Sequence, residues 1–456
     1  MSQITLERVA ELYVKEEKAL IENWMTLLRF PSVSTDKSFD EQCTQCAEWV
    51  SKRLKEIGFQ SEVISTIGKP VVFAERKGES DRPTILVYAH YDVQPADPLN
   101  EWKSKPFEPE IRDGKLYARG AADNKGQATF ILGALETLIK EKALKANIKV
   151  IIEGEEESGS TGLSSIVEKL RDKISADVLV VSDTSMLQSG APTITMGLRG
   201  VSSFTINLNA YPNDLHSGLY GGAVKNPLTE LAKIIASFHE QNGKISVKGF
   251  YDDLRLPSKK ESLLAETGAS SDADYFNLLG SNPSGGEQGL TSAQRVGFRP
   301  TIEINGLHGG YAGPGGKTII PASAFAKVSM RLGTDQDPAR VFEVVKKHIE
   351  ERAAKEMRLS FVDIKLGSPA LRVDVESKWL KVAIDSLSKL SDMPIAYRWE
   401  GGSIPVISEL CQVSGAEPLL VGFSKAEDNW HAPNESLALD RFRQGFLYHA
   451  LLFSQL

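Results

Sequence analysis

Cysteine is scarce in this chain: 456 residues contain three, Cys43, Cys46 and Cys411. So small and odd a count excludes a disulfide framework. Cys43 and Cys46 form a CTQC pair inside EQCTQCAEWVSKRLKEIG. No second pair exists to close a thiolate zinc site, so both read as helix residues. Long apolar runs are missing too. No stretch approaches the roughly 18 uninterrupted apolar residues of a membrane span, so no membrane partner is expected. The opening segment MSQITLERVAELYVKEEKALIENW is charged throughout and lacks the apolar centre of a secretory signal; a cytoplasmic location is the expectation. Nor is there a basic excess. Lys and Arg number 53 against 60 Asp and Glu, a net charge of −7, which argues against nucleic acid as a partner. Two one-motif active sites are absent, the H-E-x-x-H helix and the G-x-S-x-G elbow. GGYAGPGGKT fails as a phosphate loop, because Tyr311 stands where its first glycine belongs.

What is present is an ordinary globular balance, 41% hydrophobic and 25% charged residues, over a length that implies two or three domains. Residues 7–30 carry apolar positions at helical spacing and end at Phe30-Pro31. A second helix is expected from about Phe39 to Ile57, stopped by Gly58. Short β-branched runs follow at Val71–Ala74, Ile85–Ala89, Ile148–Ile152 and Val178–Val181, with a helical pattern at Gly126–Leu144 among them. Strands alternating with helices imply an α/β fold. Near Leu198 the texture changes. Val201–Ala210 and Ala324–Leu332 alternate apolar with polar, as half-buried antiparallel strands do. Helical patterns cover Pro227–Gln241 and Pro338–Lys355, and Tyr251–Pro283 is simply polar. The pattern near Trp379 returns to the first style. The expected organisation is an outer α/β domain, 1–197 plus 374–456, and an inserted α+β domain, 198–373.

Several apolar segments run into residues that bind metals or move protons. ILVYAHYDV delivers His90, with Asp92 two positions on and so on the same face of a strand. YARGAADNKGQATF places Asp123 in a glycine-rich turn before a helix. IIEGEEESGS crowds Glu153, Glu155, Glu156 and Glu157 at a strand end, and ADVLVVSDTS ends in Asp183. KAEDNWHAPNES puts His431 in a loop before the last helix. Each has an ordinary structural reading alone: an incidental His-x-Asp, a helix N-cap, a solvated acidic loop. Together, four successive segments ending in ligand-type residues point to a metal centre. Mixed imidazole and carboxylate ligands suit Zn²⁺ or Mn²⁺, and five ligands with one carboxylate bridging suit two ions.

These segments resemble the M20 family of metallopeptidases, in the family's order and over nearly the whole chain. The resemblance implies a zinc-peptidase-like catalytic domain, a mixed sheet flanked by helices, plus a lid or dimerisation domain inserted into it. It implies His90, Asp123, Glu157, Asp183 and His431 as ligands of two metal ions per subunit, with Asp123 bridging and Asp92 orienting His90. The peptide bond after the bridging Asp is often cis in this family. The Glu-Glu-x-Gly spacing selects Glu156 as general base, with Glu155 leaving that register open by one residue. His216 in DLHSGLYGG is similar to the family histidine that reaches the partner subunit's site, which implies a homodimer. Thr318, Arg331 and Ser403 look like substrate-binding positions of the non-specific dipeptidase and carnosinase branch. The segment VDIKLGSPALRVD lacks a histidine that some animal carnosinases carry there, which argues against a carnosine preference.

The function so implied is hydrolysis of the amide bond of a dipeptide or similar small peptide. A hydroxide bridging two metals would attack, with Glu156 carrying the proton, His216 helping to hold the oxyanion, and Arg331 holding the free carboxylate. An N-acyl-amino-acid deacylase would use the same metals, and a non-catalytic binding protein would use the same fold. His308, in NGLHGGYAG, reads as a loop histidine; His239, His348 and His449 read as helix residues with packing or surface roles.

Overall fold

A computed structural model describes residues 4–456. They form two compact units, Met1–Met196 with Val373–Arg398 and Val406–Leu456, and Gly197–Arg372 with Trp399–Pro405. The sequence expectation left all of 374–456 with the outer domain. Trp399–Pro405 belongs instead to the second unit, and hydrogen bonds explain why. Arg199 donates through Nε to the Gly401 carbonyl (3.1 Å) and through its backbone N–H to the Gly402 carbonyl (3.1 Å), while Ser403 Oγ donates to the Arg199 carbonyl.

The first unit is built on a mixed sheet. At its centre, in spatial order, run Asn147–Glu153, Thr84–His90, Val178–Val181 and Glu417–Gly422, all parallel. Val71–Arg76 and then Gln60–Ile64 extend it antiparallel on one side, and Thr193–Leu198 on the other. The central runs are β-branched and almost wholly buried, as strands of a parallel sheet covered on its faces must be. Helices Leu6–Leu28, Lys125–Lys140 and Leu439–Gln455 pack on one another. Trp24 stacks on Phe442 at 4.5 Å between ring centroids, and Phe130 meets Phe442 edge-on at 5.8 Å. Close approach is set by small residues: a Cβ at Gly133 would collide with Leu20. The first helix starts where Thr5 accepts a hydrogen bond from the Arg8 N–H, an N-cap. The second, Asp40–Glu56, gives way to Gly58 at φ 99°, which a residue with a side chain rarely adopts.

The second unit holds a four-stranded antiparallel sheet, ordered Thr301–Gly309, Ser323–Leu332, Gly200–Asn209, Arg358–Ser368. Helices Pro227–Ala236 and Pro338–Glu350 lie on it. Phe204, Ile206, Leu208, Val328 and Met330 share one core with Leu231, Ile234, Val345 and Ile349, so the alternation in sequence becomes one buried sheet face. Both helices are shorter than their apolar spacing suggested. Residues beyond Ala236 turn into a short bridge, with His239 paired to Ile245 rather than helical. Tyr251–Pro283 contains two helices, Lys259–Glu266 and Asp272–Leu279, each opened by a capping box: Ser258 with Glu261, and Ser271 with Asp274. Among the described residues, no helix is long and apolar enough to cross a membrane.

Candidate metal centre

The four parallel strands of the first unit point their carboxyl ends to one edge, where open α/β sheets present ligands. Thr84–His90 ends on His90. Asn147–Glu153 leads into the turn of Glu156 and Glu157, Val178–Val181 into Asp183, and Glu417–Gly422 into the loop bearing His431. Asp123 arrives from the turn before helix Lys125–Lys140.

These side chains converge. His90, fully buried, has Nε2 3.0 Å from Asp123 Oδ1 and 3.7 Å from Asp183 Oδ2. His431, half-exposed, has Nε2 3.1 Å from Asp123 Oδ2 and 3.2 Å from Glu157 Oε2. Asp123 therefore offers one oxygen to each histidine. Two donor groups result, His90–Asp123–Asp183 and Asp123–Glu157–His431, each with its ligand atoms within 4.8 Å of one another. The N-cap of the following helix is Asn124, which makes no side-chain capping bond, so the ordinary cap reading of Asp123 does not apply. The Asp123–Asn124 peptide is cis.

The crowded acids separate by partner. Glu153 is buried and accepts hydrogen bonds from Tyr88 (2.7 Å) and Ser160 (3.0 Å). Glu155 accepts from the Gly162 N–H at 2.7 Å. Glu157 faces His431 and also accepts from Gln94 Nε2 at 2.9 Å. Glu156 stands among His90, Asp183, Asp123 and Glu157. Asp92, fully buried, lies 3.4 Å from His90 Nδ1 and accepts from the backbone N–H groups of Glu156 (3.2 Å) and Glu157 (3.1 Å). It holds the acidic turn as well as facing the histidine. Three neighbours escaped the sequence reading. Asn124 donates to Asp183 at 2.7 Å, Gln94 holds Glu157, and Glu435 accepts from the backbone around Asp123. Asn124 and Gln94 lie one and two positions from residues already singled out. Glu435 lies four positions after His431, but it reads as one more acid in a polar loop, and nothing in that stretch points to the turn around Asp123.

The sequence pattern of peptidase family M20/M25/M40 matches residues 86–455. The chain belongs to this family. It is similar over almost its whole length to a Cys-Gly metallodipeptidase of Schizosaccharomyces pombe, at 28% identity covering 97% of this chain and 96% of the relative. Among solved structures, an M20 metallo-carboxypeptidase from Sulfolobus solfataricus superposes with a TM-score of 0.84 at 31% identity, covering 95% of this chain and 98% of that one. Human carnosine dipeptidase 1 superposes at 0.78 with 25% identity, covering 99% and 100%. This chain is thus an M20 metallopeptidase, with the mixed-sheet fold read from its strands.

The donor set of this M20 peptidase fits divalent cations. Two imidazoles and three carboxylates, one of them shared, are what hard to borderline ions bind. Electrostatics agree. Burial alone would pull His90 down, but Asp183, Asp123 and Asp92 hold its pKa well above the ordinary histidine value. Hydrogen bonds to Asp123 and Glu157 push His431 up to about 10. Burial pushes Glu156 up to about 9, with Asp183, Asp123 and Glu157 adding to it against the opposing effect of His90. Burial also raises Glu157, His431 partly opposing. A site this negative favours positive charge, which protons on the histidines supply when no metal does.

The second unit of the M20 peptidase carries the remaining expected residues. Arg331 donates to Ser403 Oγ at 2.8 Å. His216 pairs with Ile319 in a two-residue ladder, and Ser217 N–H donates to the Thr318 carbonyl at 3.0 Å, which places His216 beside Thr318. His216 is exposed, and its Nδ1 accepts from the Gly218 N–H at 3.0 Å. His308, expected in a loop, lies on strand Thr301–Gly309 with its ring 5.3 Å from that of Phe325. His348 and His449 are buried packing residues, bonded to Ser237 and Ser182.

Proposed function

We propose that this chain hydrolyses the amide bond of dipeptides, using two divalent cations per subunit, Zn²⁺ or Mn²⁺. The observation that carries the reading is Asp123, one carboxylate with an oxygen turned to each of two histidines. His90 and Asp183 would hold one cation, His431 and Glu157 the other, and Asp123 both. When bound, such a pair acidifies water and polarises an amide carbonyl.

The protein's own groups do the rest. Glu156 takes a proton from the attacking water and returns it to the leaving amine. It suits that task because it is buried beside the ligands yet makes no ion pair among the described residues. Asp92 keeps the Glu156–Glu157 turn in place through two backbone N–H groups. Arg331 holds the substrate's free carboxylate. Its guanidinium has no carboxylate partner among the described residues, and burial lowers its pKa, so an anionic ligand is the counter-charge it lacks. Thr318 and Ser403 add hydrogen bonds. His216 acts in the site of a partner subunit, and the working form is a homodimer in the cytoplasm. Supporting the dimer, edge strand Arg358–Ser368 is paired on one side only and exposes Val362, Ile364 and Leu366.

Longer peptides are a second substrate class, favoured by the likeness to the Sulfolobus solfataricus carboxypeptidase. One experiment separates the readings. Metal content per chain and sedimentation mass are measured on the purified protein. Cys-Gly, β-alanyl and Ala/Gly dipeptides are then assayed beside N-acetyl-amino acids and tripeptides, with and without chelator. Chelator-sensitive cleavage of dipeptides is expected from a dimer with two metals per chain. Turnover of N-acetyl substrates alone would replace the proposal with a deacylase, and full activity in a monomer would remove the role of His216.

A further inference from the structure

We infer that Glu435, paired with Arg119, is the positioning residue that makes Asp123 a shared ligand; this rests on the reading that two cations occupy the centre. Glu435 is 1% exposed, and so is Arg119. Its Oε1 accepts from the backbone N–H groups of Ala122 (2.8 Å) and Asp123 (3.1 Å). Its Oε2 accepts from the Gly120 N–H (2.8 Å) and Arg119 Nη1 (2.9 Å). Both oxygens are thus used twice, which fills the acceptor capacity of a carboxylate. The Glu435 carbonyl also accepts from the Ala118 N–H at 3.1 Å. One residue therefore grips the chain from 118 to 123. Gln127 Nε2 and Ser424 Oγ (3.0 Å) hold the Ala122 carbonyl, but the N–H groups of Gly120, Ala122 and Asp123 all go to Glu435, and the small residues of this Gly-Ala-Ala turn, with Gly120 at φ 84°, leave a backbone free to sample other shapes.

The grip bears on both halves of the centre. Asp123 can serve two cations only if its carboxylate stays between His90 and His431, and its position is set by the turn that Glu435 holds. Glu435 also lies four residues after His431, in the loop that supplies that histidine. Arg119 cancels the charge of Glu435, so the clamp adds no net anion beside the ligands. Arg119 is itself fixed by Nη2 donating to the Pro95 carbonyl (3.1 Å), one residue from Gln94, which holds Glu157. Loss of the clamp must weaken both cation sites together, because they share Asp123. Loss of His431 removes one ligand from one site only.

The test is Mn²⁺ binding by equilibrium dialysis, with hydrogen–deuterium exchange of residues 118–126 in the metal-free protein. Wild type is expected to bind two Mn²⁺ per chain. Glu435→Gln replaces an all-acceptor group with one that turns a donor toward Gly120 or Arg119. Both Mn²⁺ should bind about 10–100-fold more weakly, with faster exchange in 118–126 and unchanged exchange in the sheet. Glu435→Asp keeps the charge but pulls it back by one methylene, and should show the same losses in smaller measure. His431→Ala should lose one Mn²⁺ and keep the other. Wild-type affinity and exchange in Glu435→Asp, and in Glu435→Gln if it folds, overturn the clamp. A wild type that binds no Mn²⁺, Zn²⁺ or Co²⁺ overturns the two-cation reading on which it stands.

Discussion

His449 offers a test of the fold that needs no substrate. It lies in the terminal helix with its ring 5.3 Å from Phe130, 4.9 Å from Tyr448 and 5.6 Å from Phe453. Nδ1 meets the Gly445 carbonyl at 2.7 Å and Nε2 meets Ser182 Oγ at 3.1 Å. Burial pushes its pKa down to about 4 from an ordinary 6.5, with the Gly445 carbonyl opposing only in part. The ring is neutral in the folded state and must be charged at a cost once the pH falls. The folded pKa lies below the unfolded one, so its contribution is whole above pH 6.5 and is lost as pH falls through 6.5 toward 4. At about 1.4 kcal/mol per pH unit, the loss is roughly 2 kcal/mol by pH 5 and about 3 kcal/mol in all. His449→Gln keeps hydrogen-bonding groups and removes the titration. Five of the six tryptophans lie in the first unit, so urea unfolding followed by tryptophan fluorescence reads that unit. Between pH 7.5 and 5 the wild type should lose about 2 kcal/mol more than the variant. Other groups titrate equally in both proteins and cancel in the difference. Parallel stability curves would refute the reasoning, since they would mean that the buried ring is protonated as easily as in water.

Two further outcomes concern the site. Glu156→Gln should leave two metals per chain and lower kcat by about 10²–10⁴-fold, the usual worth of a general base; metal analysis beside steady-state kinetics checks it, and substantial residual turnover would reject the role. Arg331→Met should lower kcat/KM for free dipeptides by roughly 10–100-fold, mostly through KM, because a charge-assisted hydrogen bond is lost. Dipeptide amides, which lack the carboxylate, should be hydrolysed by variant and wild type alike.

Much of the candidate site was legible because its residues leave apolar strands, and such strands announce themselves. His90, Glu157 and Asp183 each follow a β-branched run that is buried in the sheet. Asp123 and His431 carried weaker local signals, a turn before a helix and a loop histidine, and took their ligand roles from the family resemblance. Glu435 could not be read, since its partners lie more than 300 positions away and a glutamate in a polar loop looks like any other. The helices in 251–283 were missed for a different reason. They are short and show little apolar periodicity, but their Ser-x-x-Glu and Ser-x-x-Asp starts were visible. Helix ends at Ala236 and Glu350 fell short of the apolar pattern because tertiary contacts, not spacing, decide where a helix stops. Trp399–Pro405 changed units through hydrogen bonds from the Arg199 side chain and backbone, which no one-dimensional pattern encodes.

The order of the central sheet has a consequence for synthesis on the ribosome. Glu417–Gly422 lies between Val178–Val181 and Thr193–Leu198, so the sheet keeps a vacant lane until this strand, more than 200 positions after its neighbours, has been translated. The second unit is nearly continuous in sequence and can collapse while the first still waits. His431 and Glu435 emerge later still, so a nascent chain that has not reached them carries His90, Asp123 and Asp183 without the residues that would complete the proposed pair.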